Sequence, residues 1–208
     1  MTILNDTIPT VTCEGSQDNE DHFLRKILPG DGMYIDIGAS FPKECSNTWR
    51  LYQRGWRGLL VEPLPQCWYG LLRQRPGDYL LPVACSNANG SAKLRAFHTV
   101  SSLRPDWPID SQCDIVVDTL TLASILDLFP DIRSKARLLS IDVEGYEKQV
   151  LEGNDWSTFK PQIIVLEYRL YDKEKPGVDI SHEWTPILCH AGYRHYQQTD
   201  LNQIWELI

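Results

Sequence analysis

The feature that most constrains this chain is a recurring pattern, without any internal sequence repeat: a short apolar run, an acidic residue at or near its end, then a turn. Met33-Tyr34-Ile35-Asp36-Ile37-Gly38 is the first instance. Gly58 to Val61 closes on Glu62-Pro63, Arg137 to Ile141 on Asp142-Val143-Glu144-Gly145, and Gln162 to Leu166 on Glu167-Tyr168. Runs this short, bounded by turn residues, read as buried strands. Tyr79 to Ala84 adds a third strand, Ala92 to Phe97 and Ile115 to Leu120 two in the middle, and Tyr193 to Gln197 and Gln203 to Leu207 two at the end. Apolar residues at helical spacing fill Asn19 to Leu28, Ser46 to Arg54, Leu64 to Arg75, Leu122 to Phe129, Gly145 to Leu151 and Glu183 to Ala191. Such alternation predicts an α/β fold, a mainly parallel sheet with helices on both faces.

Length and composition narrow the function classes. At 208 residues the chain is one domain. A polar, flexible lead-in is expected over residues 1–20 and the domain over 21–208. A net charge of −8 with no dense Lys/Arg run argues against nucleic acid as a partner. Tyr79 to Cys85 and Ile163 to Leu166 are too short to span a bilayer. The first residues carry neither a basic nor an apolar segment of the secretory kind, so a cytoplasmic location is expected. The six cysteines are too far apart for a CxxC motif and are expected to be reduced.

In an open parallel sheet, ligands bind beyond the carboxyl ends of the strands. The first turn, Gly38-Ala39-Ser40-Phe41-Pro42, has a single glycine where a dinucleotide site needs GxGxxG to seat a pyrophosphate. An acidic residue before one small-residue turn suits a cationic, amino-acid-bearing ligand. Glu62, ending the second strand, is placed to accept hydrogen bonds from a ribose. Asp36, Glu62 and a glycine permitting close approach together describe S-adenosylmethionine. Each carboxylate alone could merely cap a turn; their positions at consecutive strand ends favour the cofactor.

Several blocks carry a family resemblance: Tyr34 to Ala39 (YIDIGA), Ser46 and Thr48, Tyr52 to Pro63 (YQRGWRGLLVEP), Val117 to Leu122 (VDTLTL), and above all Ile141 to Glu147 (IDVEGYE) with Val150 to Gly153. Pro161 to Glu167, Gly192-Tyr193 and Leu201-Asn202 extend it. The chain resembles the FkbM family of S-adenosylmethionine-dependent methyltransferases from about residue 30 to 205. The resemblance implies a Rossmann-like class I fold, a seven-stranded sheet whose last strand is antiparallel. It also implies O-methyl transfer to a sugar or glycan hydroxyl. Asp36, Gly38, Ala39, Ser40, Glu62 and Pro63 are then cofactor residues, Ala84 and Cys85 the adenine turn, and Asp142 the cofactor–substrate boundary.

Methyl transfer to a hydroxyl needs positioning and a group to take the proton. Asp142 and Glu144 lie two apart at a strand end and so point the same way in extended geometry. Glu167 ends the neighbouring strand. These three can bind acceptor hydroxyls, raise one another's pKa, or hold Mg²⁺. Glu144 can alternatively cap the following helix, and Glu147 reads as a solvated first-turn acid. His98 and His182 are reserve candidates for the base, and Trp107, His182 and Trp184 for a substrate surface, the tryptophans by stacking on a sugar. Two other readings share the cofactor site: a methyltransferase of a peptide, lipid or other natural product, and a non-catalytic binding module.

Overall fold

The computed structural model describes residues 14–97, 100–106, 113–170 and 177–208. The chain runs through α1 (Glu20–Ile27), β1 (Met33–Ile37), α2 (Trp49–Gln53), β2 (Arg57–Val61), α3 (Pro65–Gln74) and β3 (Tyr79–Leu81). Next come β4 (Ala84–Ser86), β5 (Gly90–Ala96) and β6 (Cys113–Thr121). Helices α4 (Leu122–Leu128) and α5 (Pro130–Lys135) precede β7 (Ala136–Ile141), and α6 (Glu147–Glu152) precedes β8 (Ile163–Glu167). Two short strands, β9 (Arg169–Leu170) and β10 (Val178–Asp179), pair antiparallel and lead to a 3-10 turn at Ser181–Glu183. The described chain ends with α7 (Thr185–Ala191), β11 (Tyr193–Gln198) and β12 (Asn202–Leu207).

The central sheet has seven strands in the order β11-β12-β8-β7-β1-β2-β3. From β3 to β8 neighbours are parallel, while β12, the last strand, inserts antiparallel between β8 and β11. The expected topology is therefore the observed one. Because successive side chains of a strand face opposite ways, the sheet divides the core in two. Ile35, Ile37, Leu59, Val61, Leu139 and Ile141 pack with α4, α6 and α7 on one face. Tyr34, Leu60, Leu138 and Val165 pack with α1, α2 and α3 on the other. Strands covered on both faces explain why they read as continuous apolar runs rather than alternating ones.

The structure corrects three local expectations. Tyr79 to Ala84 is not one strand: Pro82, without an N–H, cannot continue a ladder. Its first half pairs with β2, whereas β4 joins β6 and β5 in a separate three-stranded sheet. The helix expected over Leu122 to Phe129 does stop before Pro130, but a second helix absent from the expectation follows at once: Pro130 opens α5 at its first turn, where a missing N–H is harmless. Residues 14–20, expected within the flexible lead-in, are docked instead. The Gly15 N–H donates to the Lys43 carbonyl at 2.8 Å, the Leu201 N–H donates to the Asp18 carboxylate at 2.9 Å, and Glu20 is fully buried against Thr199 and Asn202. This strap ties the loop after β1 to the β11–β12 turn; residues 1–13 lie outside the described residues. No disulfide joins the described cysteines, and no described helix is long and apolar enough to cross a membrane.

Candidate active site

A cavity opens beyond the carboxyl ends of β1, β2 and β7, where an open parallel sheet places its ligands. Glu62 forms one wall and is 3% exposed. Its two carboxylate oxygens accept from the Ser40 and Leu64 N–H groups, each at 2.8 Å. These bonds fix the carboxylate plane and leave each oxygen a second lone pair for another donor. Burial pushes the Glu62 pKa up to about 7. Ser40 reaches its bonding position through a left-handed backbone, φ 43°. Pro63, Ala84 and Cys85 line the same side; burial raises the Cys85 thiol to about 12, so it stays neutral and unreactive.

Gly38 also lines the cavity, but its need for a glycine comes from elsewhere. At φ 81° a Cβ there would fall 1.8 Å from the Asp142 carbonyl oxygen. The close approach it permits is that of the chain leaving β7, held by the Asp142 N–H donating to the Ile37 carbonyl at 3.0 Å. Ala39 turns into the core at 5% exposure and does not line the cavity.

Asp36 is likewise buried away from the cavity, a correction to its expected cofactor contact. It shares the face of Tyr34, two residues earlier, and that face meets α2 and α3. There its carboxylate accepts from the Thr48 hydroxyl and lies 3.7 Å from the Arg75 guanidinium. Arg75, 1% exposed, also donates to Asp78 at 2.8 Å and to the Tyr34 hydroxyl at 2.7 Å. Burial raises the Asp36 pKa, against the pull of Arg75 and Thr48. Asp36 thus secures the end of β1 from below, and the cavity receives only the backbone that β1 presents.

The opposite wall is acidic. Asp142 and Glu144 line the cavity, and Glu167 stands beside them, with one carboxylate oxygen from each residue within 4.8 Å of the others. All three are half-buried. Burial raises all three pKa values, with neighbouring carboxylates adding to the effect. Asp142 reaches about 6, whereas Glu144 and Glu167 rise well above their usual value. A hydrogen bond between Asp142 and Glu167 favours the ionised form of the first and the protonated form of the second. The cluster therefore sets Asp142, whose ionised form that hydrogen bond favours, beside two carboxyls that burial and their neighbours push toward the protonated form, a division of roles suited to acid–base work. The oxygen-only set is also of the type that a hard divalent cation takes.

The remaining expected residues do not gather here. Trp184 is fully buried in the core beneath α7, with no ring face for a substrate. His182 is exposed on the 3-10 turn and does not line the cavity. His98 and Trp107 lie outside the described residues. Glu147, read from sequence as a solvated acid, is 1% exposed. Its Oε1 accepts from the Val143 and Gly145 N–H groups, and burial raises its pKa to about 8. Thr48 and Arg75, which hold Asp36, were marked in sequence only by a motif block and by helical spacing.

With this geometry in place, comparison with known proteins is informative. The model of the methyltransferase FkbM domain matches residues 36–195. No curated protein matches the chain. Among solved structures it is similar to a precorrin-6y C5,15-methyltransferase from Geobacter metallireducens, with TM-score 0.50 and 14% identity over 90% of this chain and 86% of that one. It is also similar to a TehB-like SAM-dependent methyltransferase from Corynebacterium glutamicum, with TM-score 0.46 and 9% identity over 91% and 87% of the two chains. A SAM-bound amino pentose methyltransferase from Micromonospora echinaspora gives TM-score 0.45 and 10% identity over 91% and 88%. At 14% identity the likeness to the precorrin methyltransferase speaks to the fold alone. Family match and fold agree, and the chain belongs to the FkbM-domain family of S-adenosylmethionine-dependent methyltransferases.

Proposed function

We propose that the protein transfers a methyl group from S-adenosylmethionine to a hydroxyl group of a sugar or glycan. The observation that carries this reading is the position of Asp142, the most readily ionised of three clustered carboxyls, on the cavity wall opposite Glu62. Glu62 has the free lone pairs that would hold the ribose hydroxyls, and Pro63, Ala84 and Cys85, which line the cavity, would hold the adenine. When bound, S-adenosylmethionine supplies an electrophilic methyl group on a positively charged sulfur.

Asp142 takes the acceptor's hydroxyl proton at its carboxylate as the oxygen becomes nucleophilic, and Glu167 stabilises the ionised Asp142 by hydrogen bonding. Glu144, pushed toward its protonated form by burial and the neighbouring carboxyls, is placed to hydrogen-bond a neighbouring hydroxyl of the acceptor. A rim rich in hydrogen-bonding carboxyls suits a substrate rich in hydroxyl groups, and the chain's charge of −8 disfavours a polyanion.

The test is incubation with methyl-labelled S-adenosylmethionine and a panel of sugars, with peptides and lipids as comparison acceptors. Label in a sugar ether supports the reading; label only in a peptide or lipid would replace the acceptor class. Cofactor binding without transfer to any of them would favour a binding module. With the carboxyls acting directly on the acceptor, turnover is expected to be unchanged in EDTA. Loss in EDTA and recovery with Mg²⁺ would instead assign the three carboxylates to a metal.

A further inference from the structure

The turn that carries Asp142 and Glu144 is held from both sides. Glu144 has φ 56° and Gly145 φ 85°, two successive left-handed residues, and for a glutamate that conformation is unfavourable unless neighbours impose it. From below, one oxygen of Glu147 accepts from the Val143 N–H at 3.1 Å and from the Gly145 N–H at 3.2 Å. From the β5–β6 connection, the Ser102 hydroxyl donates to the Glu144 carbonyl at 2.8 Å and Arg104 donates to the Gly145 carbonyl at 3.2 Å. The backbone around Glu144 is therefore engaged at two donors and two acceptors, all through side chains. Glu147 and Ser102 are both buried, each at 1% exposure, and the second oxygen of Glu147 has no hydrogen-bond partner among the described residues. The two N–H groups favour the ionised carboxylate, but burial outweighs them and raises the Glu147 pKa to about 8.

We infer that Glu147 is a positioning residue: its carboxyl oxygen holds the Asp142–Gly145 turn in the left-handed form that turns Glu144 toward Asp142 and Glu167. The inference rests on the proposed role of these carboxyls, but its geometry does not depend on which acceptor is methylated. Glu147 touches no reacting atom; it acts through the backbone that carries the groups that do.

The experiment compares Glu147→Gln with Glu147→Met by carbon-13 NMR titration of side-chain carboxyls, alongside calorimetric titration with S-adenosylhomocysteine. The two substitutions fill similar space, but glutamine keeps an oxygen for the two N–H groups and methionine does not. In Glu147→Gln, Glu144 should keep a titration well above the ordinary carboxylate range. In Glu147→Met, Glu144 should swing out of the cluster and fall by about one pH unit or more as it regains water. S-adenosylhomocysteine affinity should change by no more than roughly threefold in either variant, a shift under 1 kcal/mol, because Glu62 and its partners lie on the other wall. Ser102→Ala, which removes only the clasp on the Glu144 carbonyl, should move Glu144 in the same direction by less, and it serves if Glu147→Met does not fold. Equal Glu144 titration in the glutamine and methionine variants, or in Ser102→Ala and wild type where that variant serves instead, would overturn the inference and leave Glu147 as a space-filling residue. Failure of the sugar panel would leave these readouts intact, so the two ideas fail separately.

Discussion

Glu62 and Arg75 show how differently a charge behaves at the cavity and beneath it. Glu62 titrates near pH 7 because of burial, and a hydrogen-bond acceptor for a ribose is strongest when ionised. Binding of S-adenosylhomocysteine should therefore weaken as pH falls through about 7, and Glu62→Gln should flatten that profile; a profile unchanged by the substitution would remove Glu62 from the site. Glu62→Ala should weaken binding by about 1–3 kcal/mol in calorimetry, as expected for loss of hydrogen bonds to a charged acceptor. Arg75 neutralises Asp36 and Asp78 in the interior, and breaking such a set by removing one partner costs about 3–5 kcal/mol. Arg75→Met should lower stability to denaturant by that order; a loss within experimental error would mean that the network contributes little. Glu62 was legible in sequence because a strand end announces it. The Asp36–Arg75 pair was not, since Arg75 sits 39 positions further on, where a sequence shows only the end of a helix.

The elements that were read well are those whose pattern is local. The unit from β7 through its acidic turn to α6 is visible as an apolar run, IDVEG, and a helical stretch, and the structure has all three parts in that order. The break at Pro82 had a local signal in the missing N–H, but the transfer of β4 to a second sheet depends on β6, more than twenty-five residues later. Trp184, read as able to stack on a sugar, and Glu147, read as a solvated first-turn acid, are both buried, because a residue's place in a loop or first turn does not show whether its side chain meets the core. Trp184 packs in the core formed by one face of the sheet with α4, α6 and α7. Trp184→Ala should cost about 3–5 kcal/mol of stability and leave S-adenosylhomocysteine affinity unchanged. Weakened ligand binding with intact stability would instead return the indole to the substrate side.

Across the whole molecule the buried carboxyls make the ligand-free protein most stable at acid pH. Burial raises the folded pKa values of Asp142, Glu62 and Glu147 to about 6, 7 and 8 from their ordinary values of 3.8, 4.5 and 4.5. The folded state thus binds more protons than the unfolded state across that window, and stability falls as pH rises through it. Melting temperature should drop between about pH 5 and about pH 8.5, and a rise over that range would contradict the raised values. Bound cofactor, with its positive sulfur beside the acidic wall, should reduce the drop. The central claim is that Asp142 is the base, and Asp142→Asn tests it most directly by keeping the shape and removing the charge. With the acceptor identified by the sugar panel, kcat should fall by about 10²-fold or more while S-adenosylhomocysteine binds as in wild type. Turnover at the wild-type rate would contradict the account and place the base elsewhere.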